Sequence, residues 1–166
     1  MPSIWDEMLS DFKDTSHLAR VSVRLILAVI LGGIVGYERL REHKAAGLRT
    51  HMLVSLGSCL FTLVSLEAGM QLTDLSRVIQ GIATGIGFLG AGTILKLSEQ
   101  HKIEGLTSAA TIWMTAAVGV AVGTGWVWPS LVAVALAWTI LSAMHNLERR
   151  LRPKEQNNQR GQTNTQ

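Results

Sequence analysis

Ionisable residues are few in this chain and gathered in a few places, so any chemistry must be sought there. The densest group is Tyr37-Glu-Arg-Leu-Arg-Glu-His-Lys-Ala-Ala-Gly-Leu-Arg-Thr-His51. Glu38 and Arg39 stand where one apolar run ends, and Arg49, Thr50 and His51 where the next begins. Across such a hairpin Glu38 could pair with Arg49, or Arg49 could hold an anionic lipid headgroup. The bland reading of the cluster is a basic anchor with a loop salt bridge, and the sharper one is a gate or docking surface. A second group, Glu67, Asp74 and Arg77, flanks the third apolar run. Asp74 precedes Arg77 by three residues, a spacing at which side chains meet on a helix. Aspartate near a helix start also complements the dipole. These scattered carboxylates could attract cations but make a poor magnesium site.

Other chemistries find no residues to carry them. The sequence has no Ser-His-Asp set, HExxH motif or pair of catalytic carboxylates, so neither an enzyme nor a cofactor is expected. The lone Cys59 excludes an internal disulfide and any multi-cysteine metal site, and reads as a packing residue. His43, His51 and His101 fall toward one face, which would allow a pH sensor. Ser55, Ser58, Thr62, Gln80, Thr84, Thr93, Thr107, Thr111 and Thr115 lie in or beside apolar runs. They could line a polar path, but hydrogen bonds between helices explain them as well. No aspartate or glutamate interrupts those runs, which argues against a proton- or cation-coupled carrier.

The elements that must position these residues are apolar. Of 166 residues, 48% are hydrophobic and only 16% charged, against about 25% charged in soluble domains. Five apolar runs, about 21–37, 50–66, 78–97, 106–122 and 128–145, each approach the ~20 residues needed to cross a bilayer. The expected fold is therefore all-α, with five transmembrane helices. The third run holds Gly81, Gly85, Gly87, Gly90 and Gly92. Glycines are poor helix formers in water, but in hydrocarbon the backbone must bond to itself, and small residues then let helices approach. The Gly81–Gly85 pair makes this run the expected packing centre, with Gly32 and Gly36 serving similarly in the first. A phosphate-binding loop would need a preceding strand and a Lys-Ser/Thr, and neither is present.

Eleven basic residues fall in the first loop, the third loop and the tail, against Lys13, Arg20 and Arg77 on the other side. The positive-inside rule then places the N-terminus outside and the C-terminus inside. Arg24, at the edge of the first run, can snorkel to the interface. Trp126 and Trp128 suit an interfacial belt. Residues 1–20 read as an amphipathic interfacial segment, with a docking peptide as the alternative. Residues 21–147 form the membrane domain, and 148–166 a polar tail without the residues to build a core. The modest charge of +3 follows topology rather than nucleic-acid binding. A weak repeat links Leu31–Gly36 and Gly47–Thr50 with Leu89–Gly92 and Gly105–Ser108.

Several of these motifs, in order, resemble the MgtC/SapB family of bacterial inner-membrane proteins. They are Gly36-Tyr-Glu-Arg39, Ala46-Gly-Leu-Arg-Thr-His-Met-Leu-Val-Ser-Leu-Gly57, Asp74 with Arg77, Gly85-Ile-Gly-Phe-Leu-Gly-Ala-Gly92 and Gly105-Leu-Thr-Ser-Ala-Ala-Thr-Ile-Trp113. The resemblance covers about 21–144. It implies a five-helix multi-pass domain, with Glu38, Arg39, Arg49, Thr50, Asp74 and Arg77 as functional candidates. It also implies a non-enzymatic modulator of another membrane system, an ATP synthase or a transporter, linked to magnesium limitation, acid stress or virulence. The alternative is a small oligomeric transporter or channel for cations such as Mg2+. The expected partners are the lipid bilayer, further copies in a homo-oligomer such as a dimer, and a second membrane protein. Better-known members add a soluble ACT-like domain, whereas this tail is short and polar, as in the SapB or YhiD type.

Overall fold

Long apolar runs without prolines fold as helices wherever the backbone must satisfy its own hydrogen bonds. The computed structural model describes residues 15–97 and 102–151. Five helices follow one another there: α1 (Thr15–Arg41), α2 (Leu48–Glu67), α3 (Leu72–Gly92), α4 (Leu106–Gly123) and α5 (Val127–Leu151). α1, α2 and α4 are long and apolar enough to cross a membrane, and α5 contains a shorter apolar stretch, Val127–Ala143. The N-terminal segment and the polar tail lie largely outside the described residues; α1 begins six residues before the first apolar run and α5 reaches Leu151.

Two helices, α2 and α4, turn polar residues inward and apolar ones outward. On α2, His51, Ser55, Ser58 and Thr62 are buried, while Leu53, Phe61 and Val64 are exposed. On α4, Ser108, Thr111 and Thr115 are buried and Trp113 is exposed. A water-soluble bundle distributes these types the other way round. Hydrocarbon around the bundle explains the inversion, because hydroxyls facing inward can bond within the protein. Thr62, Thr115 and Thr111 donate to the Ser58, Thr111 and Ser108 carbonyls at 2.8, 2.8 and 2.9 Å.

The third run departs from its expected bounds at both ends. α3 starts at Leu72 and stops at Gly92, and the chain then forms a short antiparallel ribbon, β1 (Leu95–Leu97) with β2 (Lys102–Glu104). Leu95 pairs with Glu104, Lys96 with Ile103 and Leu97 with Lys102. The ribbon follows from how closely the two helix ends meet. Gly105, at φ +93°, lies so near Thr93 that an added Cβ would strike the Thr93 carbonyl. Only glycine combines that left-handed backbone with that contact.

The packing centre is not α3. The largest contacts join α1 to α2 and α2 to α4, while α3 touches α2 sparingly. A Cβ built on Gly81, Gly85, Gly87 or Gly92 would meet no atom within 4 Å, and at Gly90 the nearest is the Ala109 Cβ at 3.4 Å. The expectation that these glycines seat neighbouring helices is therefore overturned within one chain, Gly90 excepted. Grooves flank α3 instead: a cavity of about 660 Å3 toward α2 and one of about 430 Å3 toward α4. The main apolar core lies among α1, α2, α4 and α5, around Ala28, Leu31, Val35, Cys59, Leu63, Val118, Val122, Val134 and Leu141, and a smaller one, with Ile86, Ile112 and Ala116, seats α3 on α4.

Candidate functional site

Four glycines bring three backbones together. A Cβ on Gly32 would lie 2.6 Å from the His51 carbonyl oxygen and 2.8 Å from the Ser55 Cβ. On Gly36 it would lie 2.8 Å from the Leu48 Cα. From the other side, a Cβ on Gly119 would strike the Ser55 carbonyl, and one on Gly123 would lie 2.7 Å from the Thr62 Cβ. Ser55 is thus clasped between α1 and α4. At this separation a side chain on either flanking helix has no room, so glycine is required by size.

Two residues beyond Gly36 the polar cluster begins. Glu38 and Arg39 are both buried, at 5% and 4% exposure, and the Arg39 Nε donates to Glu38 Oε2 at 2.6 Å. A buried ion needs such a partner, since desolvating a lone charge costs several kcal/mol. After Arg41 the chain reverses: Lys44 N–H donates to the Arg39 carbonyl and His43 N–H to the Leu40 carbonyl. His43 takes the left-handed position, φ 51°, that glycine usually fills in this motif. α2 then starts after Gly47, whose carbonyl accepts from the His51 Nδ1 at 2.8 Å. Because a carbonyl only accepts, Nδ1 carries the proton in this bond, which makes Nε2 of the neutral ring an acceptor. His51 Nε2 and Ser55 Oγ are buried and have no hydrogen-bond partner among the described residues. Thr62, Ser65, Thr84, Thr115 and Thr139 each donate to the carbonyl four residues back, and Ser55 does not.

The candidate residues named from the sequence do not form one site. Glu38 bonds its neighbour Arg39 rather than Arg49. Arg49 is exposed and makes no ion pair among the described residues, and Thr50 beside it is half-buried. Asp74 and Arg77 lie at the opposite end, exposed, and despite their spacing they form no ion pair with each other. There, His17 Nε2 and Glu67 Oε2 are 2.8 Å apart, joining the ends of α1 and α2. Among the described residues no three of His, Cys, Asp or Glu come together as metal ligands would.

One feature was passed over in the sequence and another was misread. Gly119 and Gly123 repeat the four-residue glycine spacing in α4, and they are among the tightest contacts in the molecule. Arg24, expected to snorkel, is half-buried and donates from Nη1 to the Gly123 carbonyl at 3.1 Å. There its charge complements the C-terminal end of α4. The inward stripe His51, Ser55, Ser58 and Thr62 was legible as polar residues spaced four, three and four apart in an apolar run.

Comparison with known proteins places these motifs. A family model described as the MgtC family matches residues 25–150. Protein SrpB of Synechococcus elongatus is 41% identical over 140 residues, 78% of this chain and 77% of SrpB. YhiD of Escherichia coli K12, named as a proposed magnesium transporter, is 40% identical over 143 residues, 82% of this chain and 66% of YhiD. Protein MgtC of Brucella abortus is 44% identical over 123 residues, 74% of this chain but 50% of that protein. No solved structure matches the chain.

Proposed function

Since this chain belongs to the MgtC family, we propose that it is a multi-pass protein of the bacterial inner membrane that modulates another membrane system when magnesium is scarce. In this reading all five helices cross the bilayer, with the N-terminus outside and the loop 42–47 and the ribbon inside. The protein performs no covalent chemistry. Its partners are lipid, further copies of itself and a membrane protein such as an ATP synthase or a transporter. Acid stress and life inside a host are the settings in which such restraint would matter.

The observation that carries the choice of modulator is the closed interior. Gly32, Gly36, Gly119 and Gly123 bring α1, α2 and α4 to backbone contact along the polar stripe. The buried carboxylate, Glu38, is already neutralised by Arg39. A cation path needs an open route and free carboxylates or carbonyls to replace water around the ion. At that end the exposed Arg49, beside the half-buried Thr50, is instead the charge offered for contact, while Glu38 and Arg39 are buried against each other. Asp74 and Arg77 offer charges at the opposite end.

The name given to YhiD favours transport as the second reading. One pair of experiments separates the two. The purified full chain in liposomes should pass no magnesium above the empty-vesicle rate, yet its gene should restore growth of a deletion strain at low magnesium. Protein-dependent magnesium flux would instead establish the transporter. Reporters fused after Arg152 should read cytoplasm, and those inserted at 69–71 should read the outside. The opposite pattern would overturn the orientation.

A further inference from the structure

A cavity of about 660 Å3 lies between α2 and α3, lined by Leu53, Gly57 and Phe61 on one wall and Val78, Gly81, Gly85 and Leu89 on the other. Its size falls within the roughly 300–1,000 Å3 of ordinary ligand pockets. The floor is wide because Gly57, Gly81 and Gly85 each meet nothing within 4 Å. If α2 and α3 cross the bilayer as proposed above, this groove lies at hydrocarbon depth.

The charges at its mouth distinguish the occupants. Arg49, Leu53, Gly57 and Phe61 share one row of α2, each four residues on, so the row that forms the groove wall begins at Arg49. Two buried or half-buried arginines are already engaged: Arg39 with Glu38, and Arg24 with the end of α4. Arg49 is exposed and makes no ion pair among the described residues. From Arg49 to Phe61 the helix rises about 18 Å. Half of a ~30 Å hydrocarbon core is about 15 Å. A basic group at headgroup level therefore heads an apolar channel one leaflet deep. That is the complement of a phospholipid, and basic side chains on this side would meet the leaflet that carries anionic lipids.

We propose that the α2–α3 groove is a binding site for one anionic phospholipid, its phosphate on Arg49 and an acyl chain along Gly57, Gly81 and Gly85. The open glycines of α3 then have a use that does not require contact between helices. The groove is filled by lipid, and leucine at Gly85 would fill it with protein instead.

The test uses the full chain, purified in mild detergent and titrated with phosphatidylglycerol or phosphatidylcholine. Bound lipid is counted by native mass spectrometry, and thermal stability and particle mass are followed alongside. The unmodified protein should retain phosphatidylglycerol at least several-fold better than phosphatidylcholine and gain stability from it. Arg49→Gln should erase the preference but keep weak binding of both, and Arg49→Lys should restore part of it. Gly85→Leu should lose both lipids while staying folded. If that variant does not fold, Gly81→Val, also at an open position, makes the same test. Equal lipid retention by the groove variants would overturn the proposal. So would loss of a dimer without loss of lipid, which would give the groove to a second copy. Full displacement by millimolar inorganic phosphate would reduce Arg49 to a simple anion site and also overturn it. The reporter fusions test the membrane map separately, so failure of that map and failure of the lipid site give different results.

Discussion

α1 and α3 carry the same signal and use it in opposite ways. In α1, Gly32 and Gly36 stand four residues apart, and a Cβ on either would run into α2. In α3, Gly81 and Gly85 stand four residues apart, and a Cβ on either would meet nothing within 4 Å. Spacing alone says that a helix can be approached closely; it does not say by what. The difference lies in the opposite wall. α2 offers α1 its His51–Ser55 face, which turns inward because its polar groups avoid hydrocarbon. The surface α2 turns to α3 is apolar Leu53, Phe61 and Gly57. Lipid satisfies such a surface as well as protein does, so nothing draws the two helices together.

Leucine substitution gives the largest contrast between the two. Gly119→Leu or Gly32→Leu should force apart backbones already in contact. The cost should exceed the ~1–3 kcal/mol usual for overpacking, because backbone rather than side chain must move. We expect these variants not to yield a monodisperse folded protein by size exclusion in detergent. Gly85→Leu should accumulate and melt close to the unmodified protein. Equal damage at Gly85 and Gly32 would mean that α3 is packed as tightly as α1 and would void the comparison.

The next effect concerns the charges held by the tight hairpin. Arg39→Ala leaves the Glu38 carboxylate buried without its partner, and breaking such a pair costs ~3–5 kcal/mol. Replacing both residues with methionine should recover most of that loss, since it removes both desolvated charges. Unfolding in a denaturing detergent would show this as a double-mutant cycle with strong coupling. Additive losses would mean that the two side chains act independently. Arg49→Ala, on the exposed side, should leave insertion and stability within about 0.5 kcal/mol. It should nevertheless impair growth at low magnesium, and unimpaired growth would reduce Arg49 to a topological anchor.

How much of this was legible depends on which physical rule acts locally. The helices could be read because apolar length and the bilayer's demand for backbone bonds act within each segment. All five helices begin within six residues of the apolar runs. α3 was misplaced at its C-terminal end because Leu95–Leu97 is apolar enough to continue a helix. The turn into a ribbon depends on Gly105 meeting Thr93 from twelve residues away. The site was less legible for the same reason. Glu38 was matched with Arg49 across the hairpin, and finding Arg39 as its partner requires knowing that both neighbours are buried together. Asp74 and Arg77 have the spacing for contact but lie exposed, where an ion pair is worth little. The glycines of α3 were conspicuous by number, whereas Gly119 and Gly123 sat unnoticed in a run of valine and alanine.

The smallest expected effect probes the join itself. Ser55 lies between Gly32 and Gly119, fully buried, with its hydroxyl bonded to no group among the described residues. An unpartnered buried hydroxyl costs about 1–3 kcal/mol of desolvation. Ser55→Ala removes that group and only one heavy atom, so the protein should become more stable by up to about 1 kcal/mol, or at least lose nothing. Thr62→Val, seven residues along the same stripe, keeps the volume but removes the bond to the Ser58 carbonyl. It should cost about 0.5–1.5 kcal/mol. Two conservative changes on one buried face are thus expected to move the melting temperature in opposite directions. If Ser55→Ala is the more damaging, the hydroxyl has a partner when the protein is in the bilayer, and His51 Nε2, one turn back and equally unpartnered, is the first atom to examine. The tight half of the molecule would then be held by a buried polar bond as well as by the fit of glycine against backbone.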